Sequence, residues 1–261
     1  MAFSSNSPRT GIAAALTAGL LAQALLLAPL LTRDRVGAAA LAAALATYAL
    51  MGFLAWRGQD RPHFGLANTV TTFRAGLIAV LPALILAPGG VDREISWGVV
   101  GVGLFALALD GLDGRIARRR GETSAFGARF DMEVDAAFVL FLSALAAATG
   151  RAGSWILLAG SMRYLWLVGT SVWPALRRPL PASRFRKSVC VIVLLLLLAA
   201  LAPIIPQAAA ALPCAAALAL LLASFGRDLV WLVRGPGMTT APHHIHRDGD
   251  VYDAALRRES E

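Results

Sequence analysis

The sequence predicts an all-α fold: a polytopic membrane helix bundle with a six-helix core and two extra N-terminal transmembrane helices. Three observations lead there. The 261 residues are 57% hydrophobic and only 15% charged, with a mean hydropathy of +0.65. A soluble domain keeps about a quarter of its residues charged. Apolar stretches close to the ~20 residues that a membrane helix needs recur along the chain. The basic residues gather in alternate connections between those stretches.

Eight stretches qualify, at 11–31, 36–56, 70–87, 95–112, 126–149, 153–176, 188–205 and 208–233. The first has the length of a signal peptide, but no small-x-small cleavage site follows it cleanly, so a retained anchor is expected. The last is broken by Pro213 and can start later. Arg57 and Arg61, the arginines within 115–129, the basic run at 177–187, and Arg227 with Arg234 mark one side of the membrane. The alternate connections carry only Arg33 and Arg35, Arg93, and Arg151. Eight spans with both termini in the cytoplasm satisfy this bias, in the cell's inner or plasma membrane. The chain then divides into an N-terminal region with two spans (1–66), a six-helix core (67–234) and a polar cytoplasmic tail (235–261).

The formal net charge is +8, nearly all of it arginine; Lys187 is the only lysine. The basic residues lie between apolar runs and form no separate basic domain, which speaks against nucleic-acid binding. Cys190 and Cys214 sit inside apolar stretches and match no CxxC or Cys/His ligand pattern. Ordinary buried cysteines are expected there, not a disulfide or a zinc site. The tail histidines His243, His244 and His246 read as incidental.

The chemistry concentrates in residues 110–135. Asp110 and Asp113 are spaced i, i+3, and Gly114 and Ala117 continue the same helical face. Asp131 and Asp135 are spaced i, i+4, with Gly127 one turn earlier in line. Two antiparallel helices joined by a short basic turn would point all four carboxylates at one another. Such a cluster near a bilayer is costly and self-repelling, so a cation must offset it. Hard divalent cations with oxygen ligands fit best, since no His or Cys lies nearby in the sequence. Four carboxylates over-neutralise one ion, so two are expected. Glu133 turns roughly 160–200° off the aspartate face at ~100° per residue and is left out. Helix capping and surface ion pairing would explain single acids, and an ion or proton pathway is a second alternative. The clustering at one end of a helical pair argues against a pathway.

The pattern D-x2-D-G-x2-A-R-x8-G-x3-D-x3-D resembles the signature of the CDP-alcohol phosphatidyltransferases. Asp110, Asp113, Gly114, Ala117, Arg118, Gly127, Asp131 and Asp135 fill every fixed position. The segment Asn68, Thr71, Arg74 resembles the N-x-x-T-x-x-R start of that family's first core helix, with Ala67 where a proline often precedes it. The resemblance implies that residues 67–234 form a catalytic core on the cytoplasmic side. It implies transfer of a phosphatidyl group from a CDP-alcohol, more readily CDP-diacylglycerol than CDP-choline, to a small polar alcohol, with release of CMP in phospholipid biosynthesis. Asp110, Asp113 and Asp131 would ligate Mg²⁺ or Mn²⁺. Asp135 would complete the second ion's site and act as general base. Gly114, Ala117, Arg118 and Gly127 would line the cytidine-diphosphate site, with Asn68, Thr71 and Arg74 on the facing helix. Membrane lipids are expected partners. A homodimer is the assembly carried with this reading, though no residue sets it.

Arg163 lies in the middle of an apolar stretch and needs a partner. It is expected either to pair with one of the aspartates or to bind an anion on the acceptor. Arg186 and Lys187 open the next span on the same side and could hold an acceptor phosphate with it. This region resembles phosphatidylglycerophosphate synthases loosely, without their usual glutamate and with an altered glycine. A phosphorylated polyol such as glycerol 3-phosphate is the expected acceptor; inositol phosphate, inositol and serine stay open. A membrane transporter reusing the acids, and a silent scaffold, are the other readings. The intact aspartate set disfavours the scaffold.

Overall fold

The computed structural model describes residues 8–58, 64–120, 124–178, 180 and 183–234, with the backbone alone for 8–9, 113–120, 175 and 184. All its regular elements are helical. They are α1 (Pro8–Leu31), α2 (Ala38–Gly58), α3 (Leu66–Ile78), α4 (Leu81–Ile85), α5 (Arg93–Arg120), α6 (Ala125–Ala148), α7 (Leu157–Val172), α8 (Arg184–Leu201) and α9 (Ala211–Arg234), with three short 3-10 turns. The tail histidines lie outside the described residues.

Five segments among the described residues are long and apolar enough to cross a membrane: Thr10–Leu31, Ala38–Gly58, Leu66–Ile85, Arg93–Leu112 and Gln207–Arg234. This is the polytopic membrane bundle that the composition predicts. The other three expected spans differ for visible reasons. The helix α7 has 16 residues and stops at Trp173, which is extended because Pro174 follows. The helix α6 carries Arg129, Asp131, Glu133 and Asp135 in its second and third turns, and α8 carries Arg186 and Lys187 in its first.

The helix order places α3 at the centre. It packs on α1, α5 and α6. Within Leu66–Ile85, 72% of the apolar window is buried, against 22–33% in the other four segments. The expected continuous helix over 70–87 is broken after Ile78, because Pro82 has no N–H to continue the ladder and starts α4 instead. The break exposes the Ala79 carbonyl, which accepts a hydrogen bond of 3.3 Å from Nε2 of the fully buried Gln23 on α1. Pro213 is accommodated differently. The helix α9 begins at Ala211, so the proline falls in its first turn, where its missing N–H costs nothing.

The caps follow ordinary chemistry. The Ser124 hydroxyl accepts the Gly127 N–H at 2.8 Å and opens α6. The Asp92 carboxylate accepts the Ile95 N–H at 2.9 Å and opens α5. That hydrogen bond, and the Arg35 guanidinium 2.9 Å away, hold the Asp92 carboxyl below the usual carboxylate range. The helix α5 runs past residue 112, where the apolar stretch ends, to Arg120. Its 28 residues make a rod of about 42 Å, longer than the ~30 Å hydrocarbon layer, so its arginine-rich end extends beyond the apolar zone.

The close packing of α1 on α3 depends on glycine. A Cβ on Gly76 would lie 2.5 Å from the Gly19 carbonyl oxygen and 2.8 Å from its Cα, so the two backbones touch there. Gly76→Leu is expected to push α1 off the core and lower the melting temperature in detergent, at a cost of about 1–3 kcal/mol. Gly101→Ala, whose Cβ meets nothing within 4 Å, is expected to melt like the wild type. Equal melting of the two variants would contradict the close crossing.

Candidate active site

Arg74 is the residue around which the site is built. It sits on the third turn of α3 with its side chain 1% exposed. Its Nη1 donates to Asp110 Oδ1 on α5 at 2.8 Å. Its Nη2 donates to Asp131 Oδ1 and Asp135 Oδ1 on α6, each at 2.8 Å. Arginine suits this place, because a planar guanidinium presents several donors and stays charged when buried. A charged group inside an apolar bundle must find partners, and here three carboxylates from two helices supply them.

Carboxylate oxygens of Asp110, Asp131 and Asp135 lie within 4.8 Å of one another. Asp110 is buried on α5, while the Asp131 and Asp135 side chains are 33% and 22% exposed, so the cluster opens on the α6 side. When all three are ionised, Arg74 leaves two of their negative charges uncompensated among these four residues. A hard, closely spaced oxygen set with a surplus of two negative charges fits a divalent cation. Asp113, one turn beyond Asp110 on α5, together with Gly114, Ala117 and Arg118, lies on the stretch whose backbone alone is described.

The other expected residues fall into two groups. Asn68 and Gly127 are brought together. A Cβ on Gly127 would stand 2.8 Å from Asn68 Oδ1 and 3.1 Å from Ser124 Oγ, so the glycine lets the start of α6 meet α3. Thr71 is buried one turn before Arg74, and its hydroxyl donates to the Ala67 carbonyl at 3.1 Å. Further along, Arg163 of α7 donates from Nη2 to Glu133 Oε1 at 2.6 Å. Its Nε is buried with no hydrogen-bond partner among the described residues. Its partner is therefore Glu133 and not one of the aspartates. Arg186 donates to Asp228 Oδ2 on α9 at 3.2 Å, and Lys187 is exposed.

Several participants were not marked by pattern. Glu133 is turned off the aspartate face, as its angle requires, but that direction is where α7 lies. Asp228 is an 8% exposed acid late in an apolar helix, a position that in the sequence resembles a membrane flank. Arg227 stacks over the Phe185 ring at 4.3 Å and donates to Ser183 Oγ at 3.0 Å beside it. Cys190 of α8 lies with Sγ 3.8 Å from Asp135 Oδ2.

The family model for CDP-alcohol phosphatidyltransferase matches residues 64–223, more than half of the chain. The chain belongs to the CDP-alcohol phosphatidyltransferase family. Neither a curated protein nor a solved structure is matched. Membership makes it a membrane transferase of substituted phosphate groups in phospholipid biosynthesis. The matched region begins just before α3 and ends within α9. The three aspartates of the cluster and Arg74 lie inside it; α1, α2 and Asp228 lie outside.

Removing the guanidinium leaves the buried Asp110 and the half-buried Asp131 and Asp135 facing one another. Arg74→Ala is expected to lose about 3–5 kcal/mol of stability. Millimolar Mg²⁺ or Mn²⁺ is expected to raise its melting temperature more than that of the wild type, since the cation replaces the missing charge. Thermal unfolding in detergent, with and without the metal, checks this. Wild-type melting in Arg74→Ala would contradict the buried bridge.

Proposed function

We propose that this family member transfers the phosphatidyl group of CDP-diacylglycerol to a hydroxyl of a small polar, phosphorylated acceptor, on the cytoplasmic face of the membrane. The observation that carries the reading is the convergence of Asp110, Asp131 and Asp135 on Arg74, in a chain of this family. Asp113 joins them by its place in the pattern, one turn from Asp110. The carboxylates would hold Mg²⁺ or Mn²⁺, two ions in the full site, which when bound supply charge neutralisation at the pyrophosphate. Asp135 is assigned the proton of the acceptor hydroxyl. An alcohol is a weak nucleophile at neutral pH, and a carboxylate within reach of its proton helps as the new bond forms. The acceptor oxygen bonds to the lipid-side phosphorus while the bond from that phosphorus to CMP breaks.

The supporting residues follow. Arg74 holds the carboxylates at fixed separation and, in this reading, organises the site more than it contacts the nucleotide. Asn68 and Thr71 on α3, with Gly114, Ala117, Arg118 and Gly127, line the cytidine-diphosphate side. Gly127 supports this by admitting Asn68 so closely. Arg118 is suited to a phosphate oxygen by its charge and planarity. Arg163, Arg186 and Lys187 are assigned to the acceptor. The buried, unpartnered Nε of Arg163 is the feature that favours an anion there. Glycerol 3-phosphate is the acceptor of first choice.

Release of CMP from CDP-diacylglycerol with Mg²⁺ or Mn²⁺ and a panel of acceptor alcohols tests the reading. The wild type is expected to release CMP only with metal and one class of acceptor. Asp135→Asn is expected to lower kcat by at least about 100-fold, the lower end of what a lost general base costs. Full activity in Asp135→Asn, or no CMP with any acceptor, would overturn it.

Arg163→Ala is expected to raise the KM for the acceptor several-fold while leaving the KM for CDP-diacylglycerol unchanged. An unchanged acceptor KM together with a lower melting temperature would make Arg163 only the structural partner of Glu133.

A further inference from the structure

A second feature lies at the other end of the bundle. Between α1 and α5, over the α3–α4 break, is an apolar cavity of about 210 Å³. Leu26 and Leu30 of α1, Leu81 of α4, and Ile95 and Val102 of α5 line it, and Phe138 of α6 reaches it from behind. At one end stand Arg33 and Glu94, at the other Ala106. These α5 residues are twelve positions apart, so the cavity is a slot about 18 Å long, parallel to the helix axes. One leaflet of a bilayer is about 15 Å deep, half the hydrocarbon thickness. Glu94 itself is sixteen positions, about 24 Å, from Asp110. The slot therefore starts at the membrane surface opposite the aspartates and runs inward for one leaflet.

Its mouth has a particular charge pattern. Arg33 Nη1 donates to both Glu94 carboxylate oxygens, at 3.1 and 3.2 Å. Both side chains are largely exposed, at 60% and 76%, and so can be reached by a headgroup. The neighbouring pair, Arg35 and Asp92, is 2.9 Å apart. The segments around the mouth contain Arg33, Arg35 and Arg93 against Asp34, Asp92 and Glu94, so the signs balance. An anionic headgroup would meet as many carboxylates as guanidiniums. A zwitterionic one matches both: phosphate to guanidinium, ammonium to carboxylate. An apolar slot stays dry, and in a membrane the material that fills it is alkyl chain.

We propose that this slot binds one acyl chain of a zwitterionic aminophospholipid from the leaflet opposite the aspartates, with its phosphate at Arg33 and its ammonium at Glu94. Its mouth is remote from the transferase centre, its inner end at Ala106 stops one turn short of Asp110, and the proposal does not rest on the acceptor or donor assigned above. One of its walls, α1, lies outside the family-matched region. The lipid there ties the N-terminal helix to the core.

Gly98 makes the test specific. It lines the slot, and a Cβ there meets no atom within 4 Å, so a larger side chain has room to start and takes up slot space. Gly101 has equal room but does not line the slot. Delipidated full-length protein in detergent is titrated with phosphatidylethanolamine and, separately, with phosphatidylglycerol, and bound lipid is counted by native mass spectrometry. The wild type and Gly101→Leu are expected to bind a first phosphatidylethanolamine at least tenfold more tightly than Gly98→Leu, and more tightly than phosphatidylglycerol. Because Gly98→Leu could fail to fold, Glu94→Gln, an exposed change, provides the second arm. It is expected to weaken phosphatidylethanolamine several-fold with an unchanged lipid-free melting temperature. Equal first-lipid affinity in the wild type, Gly98→Leu and Glu94→Gln would overturn the proposal. Tighter binding of phosphatidylglycerol than of phosphatidylethanolamine to the wild type would overturn it as well.

Discussion

One guanidinium holds three carboxylates in the middle of this bundle, and most of the architecture follows from that. A charged group at membrane depth is tolerated only when it faces the bundle interior with partners at hand. Arg74 has Asp110 on one side and Asp131 and Asp135 on the other. For all three contacts to form at 2.8 Å, α3 must lie between α5 and α6 and cannot move to the lipid face. The burial of α3 is thus an electrostatic requirement as much as an apolar one. Gly127 serves the same constraint, since a side chain there would meet Asn68 and wedge α6 away from α3.

A helix so buried must be covered on its remaining side, and α1 does this with small residues and one amide. Ala15 and Gly19 are buried on the face that meets the core, and Gly76 of α3 meets Gly19 backbone to backbone. The break before Pro82 would leave the Ala79 carbonyl without a partner in an apolar environment, where an unmet acceptor is expensive. Gln23 provides that partner from α1. The N-terminal helix is therefore keyed to the core by shape and by a hydrogen bond, although it lies outside the family-matched region.

The aspartates were legible because helical spacing alone puts Asp131 and Asp135 on one face, and neighbouring helices face each other. What spacing cannot show is a contact between residues 36 to 61 positions apart, and Arg74 makes three of those. The motif alone places it on the nucleotide side and does not mark it as the cation the acids require. Glu133 teaches the same lesson. The angle that removes it from the aspartate face is right, but angle says nothing of what waits on the other side, which is Arg163. The span over 70–87 ignored Pro82, because apolar run length records hydrophobicity and not the missing N–H. Asp228 was hidden by its setting: one acid late in a long apolar helix resembles a membrane flank until Arg186 is seen beside it.

Arg74 also changes the argument about ion number. Four acids and no base call for two divalent cations. With Arg74 counted, the four motif aspartates carry a surplus of three negative charges when ionised. One divalent ion leaves one negative charge; two leave one positive. In the proposed reading the substrate resolves the choice, because a pyrophosphate brings negative charge of its own to the same place. A second cation is electrostatically favoured with the CDP-alcohol bound and less so without it. The guanidinium then has a use beyond holding helices together. It holds three close carboxylates correctly spaced across two helices, which in the proposed reading is the arrangement that the site needs before its substrate arrives.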